Sequence, residues 1–173
     1  MKSKQHGVTL IELLAVLVII GILLMGVISY GKNYIANSKV RATSEELRDG
    51  LLYARAQAIT RNTVINFSAT ANGSWQVTTP TSTPADAVIQ SRSTNVATVN
   101  VAGADAAGKS LMSASFSGSG RPGKPVIFNI TPQSISCNGV NGSSATCLRV
   151  QVDSGGQVKI CNPGAATAPY ACT

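Results

Sequence analysis

From Val8 to Ile28 the chain reads VTLIELLAVLVIIGILLMGVI, 21 residues with one charge. At ~1.5 Å per residue this run makes about 30 Å of helix, the thickness of a bilayer's hydrocarbon core, so the segment can span a membrane. Lys2 and Lys4 precede it and are expected to stay cytoplasmic, which places everything after Ile28 outside the cytoplasm. An ordinary secretory signal carries its small-residue cleavage site after the apolar run. Here nothing of that form follows Ile28, and the cleavable-looking residue, Gly7, comes before it.

Glu12 interrupts this run, and a carboxylate inside an apolar span costs on the order of 2.5 kcal/mol or more unless it finds a partner. A residue at the membrane edge can snorkel to water. The alternative is that removal of residues 1–7 creates an ammonium at Val8, which Glu12 of a neighbouring subunit neutralises, so that both charges are buried together in a helical bundle.

The stretch G-V-T-L-I-E-L-L, Gly7 to Leu14, resembles the type III leader junction of type IV pilins and type II secretion pseudopilins. The resemblance implies cleavage between Gly7 and Val8 by a prepilin peptidase, N-methylation of Val8, and a role for Glu12 in filament assembly. It also implies extraction from the membrane by an assembly ATPase and an inner-membrane platform, with other major and minor pilins or pseudopilins as partners. Two features depart from the family pattern: Val8 stands where Phe is preferred, and no proline follows the span to kink the helix.

Beyond the span, Ala36, Val40, Leu47, Leu51, Ala54 and Ala58 recur at helical spacing, which extends the helix to about residue 61 with one apolar stripe for a sheet to cover. Arg41, Glu45, Arg48 and Arg55 are expected on the solvated face, with Arg41 and Glu45 one turn apart. Thereafter short β-like runs at Thr63–Ala69, Ser74–Thr79, Val96–Val101, Val126–Thr131, Leu148–Asp153 and Gln157–Cys161 are separated by turn signals. The last two flank Ser154-Gly155-Gly156 and form an expected hairpin. Between Thr70 and Ser110 a Ser-, Thr-, Ala-, Asn- and Pro-rich composition predicts long loops with two or three weak strands. These runs predict an antiparallel sheet wrapped over the helix. The region from Glu45 to Phe67, above all L-x-x-A-R-x-x-A-I-x-R-N from Leu51 to Asn62, resembles the GspH/FimT subgroup of minor subunits.

A head poor in aromatic residues, built on small side chains, calls for covalent support. Cys137, Cys147, Cys161 and Cys172 all fall near the C-terminus. In an exported head an even number of cysteines reads as disulfides, and no C-x-x-C favours zinc. The expected pairing is Cys137 with Cys147 and Cys161 with Cys172, a connectivity the sequence does not fix. Each bridge closes a short loop, worth about 2–3 kcal/mol by chain entropy.

Enzyme chemistry lacks its parts. His6, the sole histidine, lies in the leader, so a processed chain has no Ser-His or Cys-His pair. Beyond Arg61 the carboxylates are Asp86, Asp105 and Asp153, widely spaced and set among turn-forming neighbours. No cofactor or metal site is expected. The glycine-rich basic loop Gly118–Lys124 lacks phosphate-cradle spacing and reads as a tight turn. From Ser29 onward 12 basic residues face 6 acidic ones. Gly156 to Cys161, G-Q-V-K-I-C, sits where FimT-like members show a G-R-x-R pattern associated with DNA binding, with Gln157 and Lys159 replacing the arginines. A DNA-binding surface, if present, would comprise Lys159, Arg149, Arg121 and Lys124.

The expected fold is α+β and type IV pilin-like: leader 1–7, membrane or filament-core helix 8–28, amphipathic continuation 29–62 and a periplasmic β-rich GspH/FimT-like head 63–173. The expected function is a minor pilin in assembly or initiation of a type IV pilus. The alternatives are a pseudopilin of the H type in type II secretion and a pilus-associated DNA-binding subunit for DNA uptake. The expected location is the bacterial inner membrane, single-pass, before incorporation.

Overall fold

The computed structural model describes residues 9–80, 87–94, 98–133, 137, 145–165 and 171–172, without side-chain surroundings for 24–32. The leader and the Gly7–Val8 junction lie outside the described residues, as do Asp86 and Val96. Helix α1 runs Leu10–Arg61, and the chain divides into two units between Ile35 and Ala36.

From Leu10 to Leu23 of the first unit the side chains are apolar on every side of the helix except at Glu12. The large ones from Leu10 to Leu23 range from 46% exposed at Ile20 to 79% exposed at Leu10. Among the described residues no helical stretch is long and apolar enough to cross a membrane, and part of the expected span Val8–Ile28 lies outside them. The described side chains of the run end at Leu23, short of the ~20 residues a span requires.

In the second unit the apolar stripe of α1 is buried at Val40, Leu47, Leu51, Ala54 and Ala58, while Ala36 is only half-buried. Among the described residues eight strands cover it: β1 Ile65–Ala69, β2 Trp75–Thr78, β3 Val88–Arg92, β4 Val99–Asp105, β5 Ser113–Phe116, β6 Val126–Pro132, β7 Leu148–Val152 and β8 Val158–Cys161. They form two antiparallel sheets, ordered β3-β2-β1-β5 and β4-β6-β7-β8, where one sheet was expected. Period-two alternation supplies each inner face: Ile65, Phe67 and Ala69 from β1, and Val126, Phe128 and Ile130 from β6. Phe67 stands edge-on to Phe128, ring centroids 6.0 Å apart, and joins the two sheets through one core with the helix stripe. All three phenylalanines are fully buried and Trp75 nearly so, which places these large side chains where they bury most area.

Two observed strands were not among the named runs, although β3 falls in the stretch Thr70–Ser110 where two or three weak strands were expected. β3 is exposed along almost its whole length and carries no alternation to detect, and β5 buries only Ala114 and Phe116 among serines. The β7–β8 hairpin forms with Val152 opposite Val158. Asp153 Oδ1 accepts from the Gly155 and Gln157 amides at 3.0 and 2.9 Å and closes the turn. Both bridges form, Cys137–Cys147 and Cys161–Cys172, with Cα–Cα distances of 5.5 and 5.0 Å. The backbone amide of Thr146 donates to Asn37 Oδ1 at 2.8 Å, fastening the first bridge's loop to α1.

Gly50 marks a close approach of helix and sheet. A Cβ there would lie 2.9 Å from the Phe67 ring and 3.0 Å from the Trp75 indole. Alanine ordinarily favours a helix over glycine by about 1 kcal/mol, but overpacking costs about 1–3 kcal/mol, so Gly50→Ala is expected to destabilise the head. Urea unfolding of the full chain in detergent, followed by fluorescence of Trp75, checks the sign.

Candidate functional site

The end of α1 explains the Leu51–Asn62 stretch residue by residue. Leu51, Ala54 and Ala58 enter the core. Asn62 takes a left-handed φ of 47° just past the helix, and the amides of Thr63 and Asn62 donate back to the Ala58 and Ile59 carbonyls at 3.2 and 3.3 Å. This closes the helix by a Schellman motif with Asn in place of Gly. Arg61 bonds Gln57 Oε1 at 2.9 Å on the surface.

Arg55 differs from its expected place on the solvated face. It is half-buried, and its Nε donates to the Gly120 carbonyl at 3.1 Å. Gly120, in the β5–β6 turn, and Gly156, in the β7–β8 turn, have φ of 75° and 81°. A Cβ on Gly156 would fall 2.2 Å from the Gly120 oxygen and 3.3 Å from Arg55 Nε. Helix α1 and both turns therefore meet at one point, which only glycine permits. The sequence motif contained Arg55, but helical periodicity alone assigns a residue to a face and cannot foresee a loop that folds back over it.

Of the other expected surface residues, Arg41 pairs with Glu45 at 3.1 Å, both well exposed, a contact worth at most a few tenths of a kcal/mol, about 0.3–0.5. Asp105 Oδ1 accepts from the Ala107 and Lys109 amides, as Asp153 does in its own turn, so both carboxylates serve as turn formers. The loop Gly118–Lys124 is a turn, with the Gly120 amide donating to the Ser117 carbonyl and the Ser117 amide to that of Arg121. All four cysteine sulfurs are consumed in the bridges.

The expected basic surface is divided. Arg149 and Lys159 share the outer face of the second sheet, where Arg149 lies opposite Cys161 and Lys159 opposite Gln151. Lys124 instead lines a cleft of ≈490 Å³ on the first sheet with Asn66, Ser68, Ser113 and Ser115. Arg121 is exposed in the turn between β5 and β6. Arg149 is half-buried, its Nε held by Asn129 Oδ1 at 2.8 Å. The two sheets present separate cations where a duplex requires a continuous track of phosphate contacts.

Glu12 lies in the first turn of α1, exposed among the apolar side chains of Leu10, Ile11, Leu13 and Leu14. No ion pair forms to it among the described residues.

Residues 43–156, well over half the chain, match the family described as Type II transport protein GspH. This chain belongs to the GspH family. Residues 2–28 match the prokaryotic N-terminal methylation motif, which marks a membrane-anchored pilin-type subunit. The fold is similar to the type IV minor pilin FimU of Pseudomonas aeruginosa strain PAO1, with a TM-score of 0.57 at 15% identity, over 75% of this chain and 96% of FimU. It is also similar to the minor pseudopilin EpsH from the type II secretion system of Vibrio cholerae, with a TM-score of 0.55 at 11% identity, over 76% of this chain and 99% of EpsH. No curated protein sequence matches the chain. The GspH-type chain is a minor pilin or pseudopilin, of a type IV pilus or a type II secretion system. Its family and structural neighbours are structural subunits.

Proposed function

We propose that this GspH-type chain enters the bacterial inner membrane as a single-pass prepilin through Val8–Ile28, with its head in the periplasm, and is cut after Gly7 by a prepilin peptidase. It is then methylated at Val8, passed to the assembly platform and built as a minor subunit into a type IV pilus. The observation that carries this reading is the stretch Leu10–Leu23 of α1, whose apolar side chains are exposed on all sides and interrupted by the single carboxylate of Glu12. A helix apolar all round needs lipid or other apolar helices, and a filament core of like helices supplies the second. In that core Glu12 neutralises the new ammonium of an adjoining subunit.

A pseudopilin role in type II secretion is the second reading, supported by the matched family's own description. A DNA-uptake role draws no support from the divided basic surface, and catalysis none from carboxylates occupied in turns. The test is deletion and restoration of the full chain, with surface pili, secretion and DNA uptake scored together. Loss of pili with secretion intact is the expected result. Loss of secretion with pili intact moves the chain to the pseudopilus, and loss of neither overturns the subunit reading.

A further inference from the structure

The outer face of the second sheet carries a cleft of ≈340 Å³ near the Cys137–Cys147 bridge, lined by Asn129, Thr131, Arg149 and Asn162 among others. Its polar groups are unbalanced in one direction. Asn129 Oδ1 is taken by Arg149 Nε, and Asn162 Oδ1 by the Gly164 amide at 2.9 Å. Among the described lining residues the one charged group is the donor-only guanidinium of Arg149, whose two Nη amino groups have no described partner, and the Nδ2 amides of both asparagines stand beside it. No carboxylate is among the described lining residues. Elsewhere in the head Arg41, Arg48 and Arg92 each stand beside an acid, whereas Arg149 is half-buried with a neutral amide as its described partner.

A half-buried guanidinium loses hydration that a neutral amide replaces only in part. Asn129 fixes its Nε side, so the Nη pair is held ready for a planar anion. The cross-strand pairing of Arg149 with Asn129 and the nearby bridges keep the donors in place before any ligand arrives. One oriented guanidinium with neutral amides matches a single negative charge. A nucleic-acid backbone would require several cations in succession.

We propose that this cleft is a carboxylate-binding site that receives an Asp or Glu side chain of a neighbouring pilin-type subunit. It rests on the subunit reading above and names the chemistry of one contact within it. The partner is recognised by a bidentate, charge-assisted pair to Arg149, with the asparagine amides beside it excluding other orientations.

The test uses the full chain in detergent, with its arginine side chains labelled with nitrogen-15, and N-acetyl-glutamate α-methylamide as probe, whose only carboxylate is that of the side chain. A saturable shift of the Arg149 side-chain signals is expected, absent with N-acetyl-glutamine α-methylamide and absent in Arg149→Gln. No saturable shift, or an equal response to inorganic phosphate, overturns the proposal. In cells, Arg149→Gln is expected to lower recovery of the chain in the assembled fraction about tenfold, the scale of one charge-assisted contact, with partial recovery in Arg149→Lys. Chain abundance and both bridges are measured in parallel. Glu12→Ala reports on the subunit reading separately: loss with Glu12→Ala but full assembly with Arg149→Gln overturns the cleft alone.

Discussion

Replacing Glu12 with Ala or Lys is expected to leave peptidase processing intact while incorporation falls roughly a hundredfold or more. On the proposed reading Glu12 and the ammonium at Val8 of an adjoining subunit enter the filament core as a pair. Removing one member of a buried pair leaves the other uncompensated, at a cost of about 3–5 kcal/mol, and each ~1.4 kcal/mol is a factor of ten in the equilibrium. Lys adds repulsion to the same loss and should be the more severe. On the same reading processing is spared, because a peptidase acting at the Gly7–Val8 junction would do so before any neighbour is met. The exposed position of Glu12 in the isolated chain accords with a group whose partner lies on another molecule. An immunoblot of the processed form, set beside recovery in sheared filaments, separates the two steps. Normal incorporation of both variants would end the pairing argument.

The second large effect concerns the head. Gly156→Ala is expected to destabilise it by about 2–5 kcal/mol, the sum of a left-handed residue acquiring a side chain and of overpacking against backbone. The added methyl would meet the Gly120 carbonyl oxygen, a backbone atom that cannot rotate away, and would crowd Arg55 Nε, whose bond fastens the β5–β6 turn to α1. Gly108 supplies the control. Its φ of 80° is nearly the same, yet nothing lies within 4 Å of its Cβ position, so Gly108→Ala should cost only the conformational part, about 1–2 kcal/mol. Urea unfolding of the two variants, read through Trp75, isolates the contact from the backbone strain. Equal losses would mean that helix and turns do not meet as tightly as described.

The fold was legible where one physical signal sufficed. Helical spacing marked the buried stripe from Val40 to Ala58, and apolar alternation marked β1 and β7, more loosely β6 and β8. Alternation shows which residues face inward but not which strands are neighbours, so the division into two sheets could not be read from it. β3 lacked an inward face, and the reason for Gly50 lies in the Phe67 and Trp75 rings, which arrive from elsewhere in the chain. The same limit hid Arg55: its exposed neighbours Arg48 and Arg61 and its helical phase gave no sign of the Gly120 turn. For the basic residues, charge and position suggested one surface, while pairing placed Lys124 on one sheet and Arg149 with Lys159 on the other. The leader junction depends on recognition by a peptidase and on subunits outside the isolated chain, so its roles at Gly7, Val8 and Glu12 remain proposals drawn from the sequence pattern.

The most direct measurement is the intact mass of the native chain recovered from the assembled fraction. A chain that begins at Val8, carries one N-methyl group and leaves the membrane with other subunits is the expected result. A chain found only in the membrane, with residues 1–7 still attached, would contradict it.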